Sequence, residues 1–312
     1  MRFNKLDLNL LVALDALLSL KSISRAAEQL NLSQSAMSNA LARLREHLND
    51  ELLVQVGRKM ELTPRAEGLQ DAVRDVLVRV DTTISAKPMF KPATSDREFR
   101  LFVSDYSMVT LMPHLLALAA EASHSVRFHF LPQQNQPQRL LDRGEADLLV
   151  IPQIYCSPDH PVDKLLDETF CCVVWQSGQL AAPERAPGGK LNLETFRSAG
   201  HVAFQPPGGV HTFEGAAMQQ HAVARRIEVS TFSFVGALSL VVGTDRVATV
   251  HRRLAAYASQ FLPLKVLEPP FELPTMTQVV QWHKYRTTDP GLVWLRGLLQ
   301  QAVARMDGTQ AS

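Results

Sequence analysis

Ser33, Gln34, Ser35, Ser38, Asn39 and Arg43 fall on one side of a short segment whose other side is apolar. Short hydroxyls and amides can exchange hydrogen bonds with base edges in a major groove, and an arginine can address guanine or a phosphate. A solvated polar face on a small helical bundle would carry the same residue types. Arg58 and Lys59 follow Gly57 between two short apolar runs, the pattern of a hairpin tip that could approach phosphates or a minor groove.

A second set of residues could hold a small molecule: Ser104, Asp105, Gln205, His211, Thr231, Phe232 and Phe234. They sit at or just beyond the carboxyl ends of expected strands, where open α/β sheets bind ligands. A phenylalanine offers ring contact, and hydroxyls with a histidine offer polar anchors, so an aromatic acid or a phenol would fit. No catalytic chemistry assembles. The chain lacks Gly-x-Ser-x-Gly, His-Glu-x-x-His, a phosphate loop and Gly-x-Gly-x-x-Gly, which argues against an enzyme. The ten histidines are scattered without metal-ligand spacing, and no cofactor is expected.

The elements that position the first set read clearly. Asp7 can cap a helix running to about Leu20, and Ser22 to Leu30 makes a second with Ala26 and Ala27 for close approach. Asn31 suits a left-handed turn residue. Ser33 then caps a third helix, with Ala36, Met37, Ala40, Leu41, Leu44 and Leu48 expected to be buried. Two short strands flank Gly57-Arg58-Lys59. Thr63-Pro64 opens a helix on which Ala66, Leu69, Val73, Val76 and Val80 form an apolar seam. That seam suits pairing with a second copy of the chain; packing against the chain's own C-terminal part is the alternative.

Beyond a Pro- and Thr-containing hinge (residues 87–96), strand and helix signals alternate, predicting mostly parallel sheet flanked by helices. The expected strands are 99–104, 126–131, 148–151, 169–175, 201–205, 227–231, 247–251 and 275–282, with a last helix capped by Asp289-Pro290-Gly291.

Bulk properties only bound the answer. With 312 residues, 46% hydrophobic residues and a formal charge of +1, the chain can hold several cores, and any basic surface must be local. The apolar stretch from Leu6 to Leu20 is short and interrupted by Asp7, Asn9 and Asp15, so a membrane span or cleaved leader is not expected, and a cytoplasmic location is. Cys156, Cys171 and Cys172 make no disulfide framework or metal spacing. Cys171 and Cys172 should point to opposite faces of a strand, as buried small hydrophobes; a thiol redox sensor is the competing reading.

The order helix, Ser-Ile-Ser-Arg-Ala-Ala-Glu-Gln-Leu, Asn-Leu-Ser-Gln-Ser-Ala-Met-Ser, Leu-Ala-Arg-Leu-Arg, wing and Leu-Thr-Pro resembles the LysR-type bacterial transcriptional regulators. Leu6-Asp7-Leu8-Asn9-Leu10-Leu11, Trp282-His283 and Asp289-Pro290-Gly291 with Trp294-Leu295-Arg296 look most like the subgroup of nodulation-gene activators and regulators of naphthalene, salicylate and nitroaromatic degradation. Ser35 stands where many relatives carry Pro, and both suit a helix's first turn.

The resemblance implies an α/β protein overall. An all-α winged helix-turn-helix (residues 1–64, its core at 23–42) would precede a linker helix and hinge (65–90). A two-lobed α/β effector domain like periplasmic binding proteins would follow (91–312), with lobes at 96–168 plus 272–306 and at 169–271. Implied partners are double-stranded promoter DNA, a small inducer, further copies of the chain in a homodimer or homotetramer, and RNA polymerase. The resemblance also places Ser104-Asp105, His211, Thr231 and Phe232 near the inducer pocket.

Overall fold

Asp7 stands in extended backbone and its carboxylate accepts the Asn9 amide at 2.9 Å, which starts α1 (Leu8–Leu20). Ser22 caps α2 (Ile23–Gln29), and Asn31 takes the left-handed turn at φ 54°. Ser33 Oγ accepts the Ala36 amide at 3.1 Å, opening α3 (Gln34–Leu48). The computed structural model describes residues 7–84, 89–206, 212–220 and 223–310. Contacts divide the chain into two units, Met1–Lys87 with Asp142–Glu145, and Pro88–Leu141 with Ala146–Ser312.

In the first unit Leu14, Leu17, Leu18, Ala26, Met37, Leu41 and Leu44 form the core. Ala36, expected to be buried, is exposed. The buried stripe runs through Met37, Leu41 and Leu44, so Ala36 falls one position off it. Strands β1 (Leu53–Val56) and β2 (Lys59–Leu62) pair antiparallel with Val56 opposite Lys59. The turn is therefore Gly57-Arg58 alone, with Gly57 at φ 63°, and Lys59 is already a strand residue rather than part of the tip.

Thr63 Oγ1 accepts the Ala66 amide at 3.1 Å and starts α4 (Pro64–Ile84). The expected seam divides. Ala66 and Val73 are buried in the first unit's own core, the Gln70 amide donates to the Leu18 carbonyl at 2.9 Å, and Arg74 pairs with Asp15. Val76 is left 43% exposed. Part of the stripe thus covers α1, neither a second copy nor the C-terminal part of the chain.

In the second unit the chain runs β3 (Glu98–Phe102), α5 (Asp105–Thr110), α6 (Met112–Ala122), β4 (Arg127–Leu131), α7 (Gln138–Asp142), β5 (Leu148–Pro152) and β6 (Val162–Glu168). It continues through β7 (Phe170–Trp175), α8 (Leu193–Ser198), β8 (Gly200–Phe204), α9 (Phe213–Gln220), β9 (Arg226–Thr231), α10 (Phe234–Ser239), β10 (Arg246–His251), α11 (Arg252–Ala258) and β11 (Leu264–Leu267). Last come β12 (Met276–Gln281) and α12 (Pro290–Gln310).

Two five-stranded sheets result, ordered β4-β3-β5-β12-β6 and β11-β7-β10-β8-β9. In each sheet four strands point the same way, as the alternation predicts, and one runs against them. β3 lies parallel to β4 and β5, and β8 to β9 and β10, while β12 and β7 run antiparallel to both their neighbours. The reason is connectivity: the chain crosses between the sheets after β6 and after β11, and the strand on which it enters each sheet, β7 or β12, is the one that runs against the rest.

Phe99, Leu101, Leu115, Trp282, Leu295 and Leu299 fill the core of the first lobe; Phe170, Phe204, Leu238, Val250 and Leu254 that of the second. Tyr106, from α5 of the first lobe, packs in the second lobe's cluster. No described helix is long and apolar enough to cross a membrane.

Candidate functional site

On α3, Ser33, Gln34, Ser35, Ser38, Asn39 and Arg43 are all exposed, while Met37, Leu41 and Leu44 are buried behind them. Ser33 is partly committed, since it caps the helix and its hydroxyl lies 3.0 Å from that of Ser35. Two nearby arginines serve the fold instead: Arg45 donates to the Glu51 and Leu53 carbonyls at 2.8 and 2.9 Å, and Arg25 to the Leu20 carbonyl at 2.7 Å. Arg43 has no ion-pair partner among the described residues. Arg58 and Lys59 are exposed on the hairpin. The helix therefore presents amides, hydroxyls and one uncommitted guanidinium, with two cations on the neighbouring ribbon, an arrangement able to hydrogen-bond base edges and phosphates.

The second unit holds a cavity of about 300 Å³. Of the residues expected there, Ser104 and Phe234 line it. Asp105 does not; its carboxylate turns to accept the Ser233 hydroxyl and the Val235 amide. Thr231 Oγ1 accepts the Ser233 amide at 3.2 Å and stays outside the lining, as does the exposed Gln205. Phe232, expected to touch a ring, is 81% exposed: it lies between β9 and the Ser233 cap of α10, where its side chain points to solvent. His211 lies outside the described residues.

The sequence reading missed much of the wall. Phe204 stacks on Phe234 at 3.6 Å, and Tyr106 stacks on His251 at 4.1 Å and 10°. Phe102, Tyr155 and Phe213 add further rings, and the amide-rich run Gln133–Gln138 closes one side. The Gln138 side chain donates to the Tyr155 carbonyl, tying that run to the wall. The run of amides was visible in the sequence, but nothing local marked it as a wall.

The cavity is lined by one acid, Glu214, among the described residues. Neither lysine nor arginine lines it among the described residues. Burial pushes His251 down to about 3, so its imidazole is neutral at physiological pH. Burial likewise raises the Glu214 carboxyl, against hydrogen bonds from Thr212 and its own backbone and the attraction of Arg225. Burial and the Glu168 carboxylate hold the Tyr106 phenol well above its usual range, and its hydroxyl donates to Glu168. The lining can sandwich a ring and exchange neutral hydrogen bonds; among the described residues it has no cation to neutralise an anion.

Cys171 and Cys172 are fully buried free thiols in different core clusters, on opposite faces of β7 as the strand alternation required. Burial pushes the Cys172 thiol up to about 12 and that of half-buried Cys156 up to about 11, and raises Cys171 as well.

Residues 8–67 match the model described as "Bacterial regulatory helix-turn-helix protein, lysR family", and residues 93–304 that of the "LysR substrate binding domain". Over 308 residues the chain is 39% identical to Nodulation protein D of Bradyrhizobium sp. (strain ANU 289), covering 98% of this chain and 89% of that one. A probable transcriptional regulator from Pseudomonas aeruginosa superposes with a TM-score of 0.63 at 25% identity, over 96% of this chain and 98% of that one. Full-length CbnR, solved with its target DNA, shares the fold with a TM-score of 0.59 at 16% identity, over 96% of this chain and 100% of that one.

Proposed function

The chain belongs to the LysR family of bacterial DNA-binding transcriptional regulators, and on that premise we propose that its effector domain takes an uncharged aromatic compound. The observation that carries this reading is the lining: stacked rings around a cavity of about 300 Å³, with no cation among its described residues. A carboxylate would meet no cation among the described lining residues and would sit beside a buried acid, Glu214, at high desolvation cost. Of the two ligand types compatible with the sequence, the phenol therefore suits the cavity and the aromatic acid does not.

Thermal denaturation with 2-naphthol and with 2-naphthoate tests the choice, because a ligand bound only by the folded state raises apparent stability. The neutral compound should raise the midpoint and the anion should not. A larger rise with the carboxylate would sink the reading.

In the same reading α3 enters the major groove of promoter DNA, with Gln34, Ser35, Ser38, Asn39 and Arg43 toward base edges, and Arg58 and Lys59 contact the sugar–phosphate backbone. The exposed Val76 side of α4 gives a second copy a surface to pair with, so two reading heads would meet a two-fold site in a dimer or a tetramer of dimers. Effector binding would then act on promoter activation, with RNA polymerase as the downstream partner. Residues 1–64, 65–90 and 91–312 take the DNA-reading, linking and sensing roles. Redox sensing is disfavoured by thiols that burial keeps protonated.

A further inference from the structure

Two residues that line the cavity each carry a buried polar atom without a partner among the described residues. Gln278 sits in β12 among Met276, Val279 and Val280, and is 2% exposed. Its Nε2 donates to Ser107 Oγ at 3.4 Å, which orients the amide, while its Oε1 has no partner among the described residues. His251, at the end of β10, is 4% exposed and its Nδ1 is likewise without a partner. One face of that imidazole stacks on Tyr106, and the Phe234 ring meets it at 4.6 Å and 73°. Both residues line the cavity.

The hydroxyls at the start of α5 are engaged. The Tyr106 hydroxyl donates a hydrogen bond to Glu168, and the Ser104 and Ser107 hydroxyls bond each other at 3.3 Å while Ser104 caps α5. Native proteins leave few buried polar atoms unsatisfied, so an unpaired amide oxygen on a residue that lines the cavity marks a position that a bound donor completes. The donor must be neutral and carried on a flat apolar body, because rings enclose the site and its histidine is uncharged. A phenolic hydroxyl meets both conditions, with one O–H to give and lone pairs that a neighbouring imidazole N–H can reach.

We infer that Gln278 is the specificity-determining residue of the cavity, its Oε1 accepting a hydrogen bond from a hydroxyl on the aromatic effector, with His251 as the second neutral polar group beside that hydroxyl. This rests on the cavity being the effector site, as proposed above. A methyl ether of the same compound would leave the amide oxygen unpaired and would bind less well.

The test uses the full-length chain, the Gln278→Met variant, which keeps the side-chain length, and Gln278→Leu in case the first folds poorly. Two pairs of probes serve: 2-naphthol with 2-methoxynaphthalene, and 7-hydroxyflavone with 7-methoxyflavone, each titrated by fluorescence. The native chain should prefer the hydroxyl member of a pair by about tenfold, and the variant should lose that preference through weaker hydroxyl binding, with ether binding unchanged. An unchanged preference in the variants, or equal binding of hydroxyl and ether by the native chain, overturns the role of Gln278 and leaves the cavity standing. Binding of none of the four compounds by the native chain overturns both.

Discussion

The Asp105 carboxylate, at the start of α5 in one lobe, accepts the Ser233 hydroxyl at 2.7 Å and the Val235 amide at 3.1 Å in the other. One side chain thus fastens the first turns of two short helices that flank the cavity. Replacing Asp105 by Ala leaves both donors unpaired and frees the lobes to separate. We expect Asp105→Ala to weaken effector binding about tenfold, a loss of roughly 1–2 kcal/mol, with operator affinity unchanged in a gel shift. Equal effector affinity in the variant would show that the clamp does not hold the cavity closed.

Arg43 and Arg58 should behave differently on DNA. If Arg43 addresses a base, Arg43→Ala costs roughly 1–3 kcal/mol on the operator and relaxes specificity at one position. Arg58→Ala should weaken binding on all sequences alike and lower the slope of log K against log salt by about 1. Fluorescence anisotropy on operator and scrambled duplexes over a salt series separates the two. Tight operator binding by Arg43→Ala would remove α3 from the groove.

Phe232 and Phe234 are two positions apart and make opposite predictions. Phe234 lines the cavity and stacks on Phe204, whereas Phe232 is 81% exposed. Phe234→Leu should cost about 1 kcal/mol of stability, as a partial truncation of a core ring, and should reduce effector affinity. Phe232→Ala should leave both within error. Calorimetric titration of the two variants checks the pair.

The acid limb of the stability curve should depend on Asp289. Burial pushes its carboxyl up, but the hydrogen bonds and charge of Arg97, at 2.6 and 2.9 Å, outweigh that and hold it below the usual range. A depressed carboxyl contributes stability that is complete above its unfolded value and is lost as pH falls below about 4. Asp289→Asn should therefore cost about 2 kcal/mol near neutrality and flatten the loss between neutral pH and pH 3 in urea denaturation. A parallel pair of curves would assign the acid sensitivity to other groups.

The thiols offer a direct check on redox sensing. With Cys171 and Cys172 fully buried and burial raising all three thiols, iodoacetamide at pH 8 should label native protein slowly, at Cys156 alone, and reach all three in denaturant. Rapid native labelling of Cys171 or Cys172 would restore the redox reading.

Local signals determined the first unit almost completely. Asp7, Ser33 and Thr63 cap the helices they announce, and Asn31 takes the left-handed turn, because capping and turn chemistry act over three or four residues. The same short range explains why Cys171 and Cys172 could be assigned to opposite faces from alternation alone. Tertiary structure decided the rest. Ser107 and Gln278 are 171 positions apart and meet only because β12 returns to the first sheet. Which of Phe232 and Phe234 points inward depends on the turn that the Ser233 cap imposes, and where Asp105 points depends on a hydroxyl from the other lobe. Period and propensity fix what each segment becomes; the composition of a cavity is set by crossings that no window of the chain contains.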